Sequence, residues 1–237
     1  MSTDSTNTRL KELLKLENVL EGTVISAGFQ TDGRGQRGAT WESKADENIL
    51  LSILLHPKFL SIQQQFLLSQ AIAIAVQKFI NYYLKDQVVK IKWPNDIFVG
   101  NKKIAGMLIE NILEANFIKY SIVGIGINIK QLEVLPTATS LKLESNMEYD
   151  HKQLEKDLFY FIEKEYLLLR SGAYAIIKET YLNSLLGFNE VRKFYITQSE
   201  QEMLGKILGV LDNGMLTIKD DSSGIHHTFD LKEIKFL

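Results

Sequence analysis

The segment Lys90-Ile91-Lys92-Trp93-Pro94-Asn95-Asp96-Ile97, followed across Gly100-Asn101 by Lys102-Lys103-Ile104-Ala105-Gly106, decides how this chain folds. Pro94 disfavours helix for Trp93, so a strand must end there in a turn that displays Asn95 and Asp96. The β-rich runs Val88 to Lys92, Ile97 to Val99 and Ile104 to Glu110 predict strands, the last two joined by a tight hairpin at Gly100-Asn101. If Lys103 points inward, it sets one cation beside the Asn95–Asp96 turn. A solvated surface lysine is the plain alternative.

Upstream, Asp4 to Asn7 offers several N-caps to a short helix ending near Leu16, with Leu10, Leu13 and Leu14 at helical spacing. Thr23 to Gln30 and Asn48 to Leu55 predict strands. Ser61 and Gln64 form a capping-box pattern ahead of a long apolar helix over Phe66 to Leu84. Downstream, Lys119 to Ile129 is β-branched and predicts another strand. Asp150 with Gln153 opens an amphipathic helix, and a second helix is expected over Ala173 to Leu185. After Gly187 the texture changes to short β runs separated by Asp212-Asn213-Gly214 and Ser222-Ser223-Gly224, which predicts about five strands in a small all-β module. The division expected is residues 1–186 and 187–237.

At 237 residues, 45% of them hydrophobic and 24% charged, the chain can bury a core without crosslinks. It has no Cys, which excludes disulfides, thiolate metal sites and a cysteine nucleophile and fits a reducing cytoplasm. The net charge of -2 provides no global positive field for nucleic acid. Neither an apolar signal segment at the start nor a membrane span is expected. The four histidines are His56, His151, His226 and His227, and the one adjacent pair would point to opposite faces of a strand, so no histidine metal site is expected.

Two glycine-bearing stretches carry chemistry. Gln30-Thr-Asp-Gly33-Arg34-Gly35-Gln36-Arg37-Gly38-Ala-Thr-Trp41 lies in a stretch, Thr31 to Glu47, that has no period of either kind and predicts a long loop. Its glycines let backbone N–H groups approach a ligand, and Arg34 and Arg37 can meet phosphate or carboxylate. Val123-Gly124-Ile-Gly126-Ile-Asn128 places alternating glycines in a strand, a mark of close approach by a neighbour or ligand. A third Gly, a following helix and a Gly-Lys-Ser/Thr triplet are all missing, so dinucleotide and P-loop folds are excluded.

Taken in order, Ser5-Thr6-Asn7, Gly33-Arg-Gly-Gln-Arg-Gly38 with Trp41, Lys92-Trp-Pro-Asn-Asp96, Lys103-Ile-Ala-Gly106 and Gly124-Ile-Gly-Ile-Asn128 resemble the successive motifs of biotin–protein ligases. The motifs cover Asp4 to about Asn128, and the C-terminal β module stands where that family has one. The resemblance implies an α+β fold: a mixed-sheet catalytic domain of the biotin/lipoate ligase type with helices packed on it, plus a small SH3-like all-β C-terminal domain. It implies two-step chemistry, in which biotin and ATP give biotinyl-5′-AMP and a lysine of a biotin carboxyl carrier protein then takes the acyl group.

By the same resemblance, Ser5, Thr6, Asn7 and Gln30 hold the ureido ring of biotin and Trp41 walls the site. Gly33, Arg34, Gly35 and Gln36 fold over the acyl-adenylate, and Lys103 meets the biotin carboxylate and the α-phosphate. Lys92, Asn95, Asp96 and Asn128, with Arg37, line the nucleotide region. Lys103, Arg34 and Asp96 are the catalytic candidates, and Mg2+ accompanies ATP with few protein ligands. Gln36 stands where the family commonly has Arg, and whether Arg37 replaces it is left open. The stretch Trp41 to Asn48 lacks the family's usual Pro and Gly. Because the chain begins almost at the Ser-Thr-Asn motif, a short form without the N-terminal DNA-binding domain of some members is expected. A homodimer is left open. The alternatives are a lipoate or octanoate transferase of the same fold, which would lack Lys-Trp-Pro-Asn-Asp, and a non-catalytic biotin sensor.

Overall fold

A computed structural model describes residues 2–237, apart from the side chain of Arg37. In chain order the first elements are β1 (Ser2–Thr3), α1 (Thr6–Leu16), β2 (Val24–Ser26), β3 (Phe29–Gln30), β4 (Asn48–Leu55) and α2 (Phe66–Tyr83). Next come β5 (Val89–Lys92), β6 (Asp96–Val99), β7 (Lys102–Glu114), β8 (Phe117–Asn128), α3 (Leu141–Ser145), α4 (His151–Arg170) and α5 (Tyr174–Ser184). The chain closes with β9 (Val191–Ile196), β10 (Gln201–Val210), β11 (Leu216–Asp220), β12 (His226–Phe229) and β13 (Ile234–Phe236).

Six strands form the main sheet in the order β2-β4-β8-β7-β6-β5. All eight residues of β4 are buried, as its apolar run, interrupted only by Ser52, requires of a strand covered on both faces. One face packs on α2 in the large core that also takes in α4 and α5. The other carries α1, through a small cluster of Leu10, Val19, Leu54 and Ile122. The last five strands make a separate sheet, β12-β11-β10-β9-β13, the SH3-like unit. It docks on the first through Trp93, whose Nε1 donates to Gly214 O at 2.9 Å.

The α+β architecture matches the expectation, with one correction to the sheet. Every ladder in the six-stranded sheet is antiparallel, and parallel pairing is confined to the two-residue pair β1–β3 and isolated bridges. Tight returns join β5 through β8 in succession, whereas β4 and β8 become neighbours by a crossover: the chain leaves β4, runs through α2 and enters the opposite edge at β5. The run Thr23 to Gln30 splits at Ala27-Gly28, where the chain leaves β4 and pairs with β1. Ser61 and Gln64 cap no α-helix: Ser61 Oγ donates to Gln64 Oε1 at 3.1 Å around a 3₁₀ turn, Ile62–Gln64, that precedes α2. At α4, Asp150 caps the Lys152 amide, but Gln153 turns forward to Asp157. Helix α3 and the loop before it were not anticipated.

Candidate active site

A cavity of about 800 Å³ opens where α1, the 31–47 loop, the β5–β8 face and the C-terminal sheet meet. That volume suits a ligand of cofactor size.

At one end the lining is neutral and polar. The N-terminus of α1 brings in Ser5, Thr6 and Asn7, all buried. No side chain of its own caps this helix; the Thr6 amide and hydroxyl both donate to Gln30 Oε1, at 2.8 and 3.1 Å. Ser52 Oγ lies 2.6 Å from Asn7 Oδ1 and 2.7 Å from Thr6 Oγ1. Asn7 Nδ2 donates to Glu110 Oε2 at 2.8 Å. Burial pushes the Glu110 carboxyl up, but hydrogen bonds from Lys11 and Asn7 and the charges of Lys11 and Arg34 outweigh it, so it stays below the usual carboxylate range.

Trp41 forms the wall. Its ring lies over Gly106 and Gly126, which are paired across β7 and β8. A Cβ on Gly106 would stand 3.0 Å from both the Trp41 ring and Lys103, while Gly124 leaves room for Asn7. The alternating glycines therefore do admit close neighbours. The indole Nε1 of Trp41 is buried and lacks a hydrogen-bond partner among the described residues.

The other end is charged. Lys103 Nζ is 2.7 Å from Asp96 Oδ1 and 5.4 Å from the Trp41 ring centroid. A bulge puts it there. Asp96 pairs with Gly106 and Ile97 with Ala105, but Phe98 pairs with Lys103, so Ile104 is the extra residue. Strict alternation would have left Lys103 on the opposite face from Asp96. Its backbone is clamped on the far side, Lys103 N donating to Thr137 O and Thr139 N to Lys103 O, each at 2.8 Å. Lys92 sits between the rings of Phe98 and Phe236, 4.9 and 5.5 Å from their centroids. Burial lowers the Lys92 pKa, the Lys103 charge lowers it further, and Asp96 partly offsets both.

Of the residues singled out from sequence, Ser5, Thr6, Asn7, Gln30, Arg34, Gly35, Gln36, Trp41, Lys92, Asn95, Asp96 and Lys103 line this cavity. The side chain of Arg37 lies outside the described residues. Gly33 is behind the lining: its carbonyl accepts from Trp41 N at 2.8 Å, and a side chain there would strike the Trp41 carbonyl. Asn128 is likewise not at the cavity surface. It is buried, and its amide donates to Thr139 O at 2.9 Å, bracing the segment that clamps Lys103. Sequence reasoning missed Ser52, Glu110 and the contribution of Thr197, Lys235 and Phe236 from the C-terminal sheet. A lone Ser inside an apolar strand was the one available signal. Among the described residues no group of three or more His, Asp or Glu could hold a metal, and no helix is long and apolar enough to cross a membrane.

The chain is similar to known proteins in sequence and in fold. The chain is 31% identical over 208 residues to the bifunctional ligase/repressor BirA of Bacillus spizizenii, covering 85% of this chain and 63% of that protein. It is 33% identical over 143 residues to the biotin--[acetyl-CoA-carboxylase] ligase of Mycobacterium tuberculosis, covering 59% and 52%. The chain thus spans less than two thirds of these relatives' length. The biotin protein ligase of Aquifex aeolicus, solved in complex with biotin and ATP, superposes with a TM-score of 0.79 at 27% identity, covering 100% of this chain and 96% of that one. The biotin/lipoate A/B protein ligase family model matches residues 1–128, more than half of the sequence, and the chain belongs to that family.

Proposed function

We propose that the protein attaches biotin, at the expense of ATP, to a lysine of a biotin carboxyl carrier protein. One observation carries this: a single cavity holds a neutral donor–acceptor pocket at one end and the Lys103–Asp96 pair at the other, with the Trp41 wall between. A ureido ring needs paired donors and acceptors without charge, which Asn7, Thr6 and Gln30 offer. The terminus of a lipoyl or octanoyl chain has no use for them.

In the first step a biotin carboxylate oxygen attacks the α-phosphorus of ATP, and the bond to pyrophosphate breaks. Lys103 is assigned to offset the charge that gathers there, with Arg34 assisting from the loop. In the second step the neutral ε-amine of the carrier lysine attacks the acyl carbon; the acyl–phosphate bond breaks, AMP leaves and a proton is lost. Asp96, beside Lys103, is the candidate acceptor. Lys92 and Asn95 are assigned to the nucleotide. Mg2+ would enter with ATP, held by phosphates and water, since Asp96 is the one carboxylate at the charged end of the lining and is already paired. A cytoplasmic location and a boundary at 186/187 belong to the same proposal; the change of sheet between Ser184 and Val191 supports the boundary.

The test is incubation with biotin and Mg-ATP. Pyrophosphate release without a carrier, and a mass gain of one biotinyl group when a carrier domain is added, are expected. Absence of pyrophosphate release would leave a sensor, and preference for lipoate or octanoate would leave the acyl-transfer alternative.

A further inference from the structure

Among the described residues, Glu110 is the one carboxylate that touches both the polar end of the cavity and the loop above it. Its Oε2 accepts from Asn7 Nδ2 at 2.8 Å, while its Oε1 lies 2.5 Å from Lys11 Nζ and 3.6 Å from Arg34 Nη2. An ionised carboxylate only accepts hydrogen bonds. Asn7 must therefore turn its NH2 toward Glu110 and its oxygen toward Ser52, and Ser52 must spend its one proton on Asn7. Thr6, next in line, is left to donate either to Ser52 or to Gln30, whose Oε1 already takes the Thr6 amide. Glu110, helped by the Leu108 carbonyl that Asn7 Nδ2 also reaches at 3.4 Å, thus sets the direction from Asn7 to Ser52, while the Thr6 amide holds Gln30.

We propose that Glu110 is a positioning residue: it sets the donor and acceptor polarity that a bound ligand meets at Asn7 and, through Ser52, beside Thr6, and through Arg34 it ties the 31–47 loop to that pocket. Lys11 holds the carboxylate in place but reaches none of the pocket groups itself. The proposal rests on the cavity being a biotin and ATP site.

Glu110→Gln tests it. A glutamine of the same shape can keep its oxygen toward Asn7 only by turning its NH2 group toward the Lys11 and Arg34 cations, or it can face those cations with oxygen and reverse the chain. The first choice puts donors against donors, and the second turns the Asn7 amide over, so that its NH2 faces Ser52 and leaves the Leu108 carbonyl it reached at 3.4 Å. Steady-state and single-turnover adenylation should show the KM for biotin raised about tenfold or more, as expected when a ligand meets a mispolarised pocket, with kcat within about threefold. Lys11→Met should leave that KM within about twofold. An E110Q protein with unchanged KM overturns the proposal. So does a K11M protein with as large a rise as E110Q, because Glu110 would then act only as half of an ion pair. If E110Q does not fold, Ser52→Ala cuts the same chain with Glu110 intact, and a KM within twofold there also overturns it. Pyrophosphate release by the unaltered protein is measured alongside: its absence would remove the biotin and ATP reading, whereas release with an unmoved E110Q KM would remove only the role of Glu110.

Discussion

The ring of Trp41 rests on the sheet where Gly126 has no side chain, and a Cβ at that position would stand 2.5 Å from Cε2 of the indole. The wall of the cavity is thus set by what the strand lacks. Gly126→Ala should push the indole into the cavity, an overpacking cost of about 1–3 kcal/mol. Biotin binding, measured by calorimetry, should weaken about tenfold or more while the fold persists. Affinity equal to that of the unaltered protein would mean that Trp41 moves freely and walls nothing.

Lys103→Ala removes the cation that faces Asp96 and the Trp41 ring. The rate of biotinyl-AMP formation by rapid quench should fall about 10²-fold or more, the scale of losing one preorganised charge partner. Asp96 is left without its lysine, so the variant should also lose some stability. An unchanged single-turnover rate would take Lys103 out of the mechanism.

These two residues show what the sequence could and could not display. Trp41 and the alternating glycines were legible because a strand with missing side chains must have something lying on it. Lys103 was legible only conditionally: its face depends on a bulge at Ile104, and alternation alone puts it on the wrong side. The apolar run of β4 gave its own boundaries, yet Ser52 within it reads as a flaw until Asn7 and Thr6 are seen against it. Glu110, which backs Asn7 from 103 residues away, and Phe236 and Lys235, which line the cavity from the other sheet, make contacts that no local pattern encodes. Asn128 reads as a site residue because it ends a glycine motif; its amide is spent on Thr139.

Lys92 should show a trade of stability against binding. Burial depresses its pKa, so the folded state bears a cost for keeping it charged, a cost that its place between Phe98 and Phe236 offsets only in part. A lysine with a lowered folded-state pKa carries that cost in full below this pKa. The cost shrinks as pH rises toward the ordinary lysine value, because the folded form gives up its proton first. Lys92→Met should therefore raise the melting temperature at pH 7 and show a smaller gain at pH 10, while ATP affinity falls. A lower melting temperature at both pH values would mean that the cation–ring contacts dominate the desolvation.

Gln36 lines the cavity at the start of a 3₁₀ turn, Gln36–Gly38, within the loop that carries Arg34. If this position faces the α-phosphate, a neutral amide holds it by weaker bonds than a guanidinium would, and the bound adenylate escapes sooner. One charge-assisted contact is worth about 1 kcal/mol or more, which corresponds to several-fold to tenfold in dissociation rate. Gln36→Arg should slow the release of preformed biotinyl-AMP by that factor, and the unaltered protein should label bystander lysines weakly with the intermediate it loses. Bridging from Arg34 to Thr40 closes the loop on itself and limits how far the new side chain can swing, so a positive result would also fix where the loop sits over the ligand. A release rate that is unchanged or faster would place the phosphate's partner elsewhere, and Lys103, already facing Asp96 across the charged end, becomes the group that must hold it.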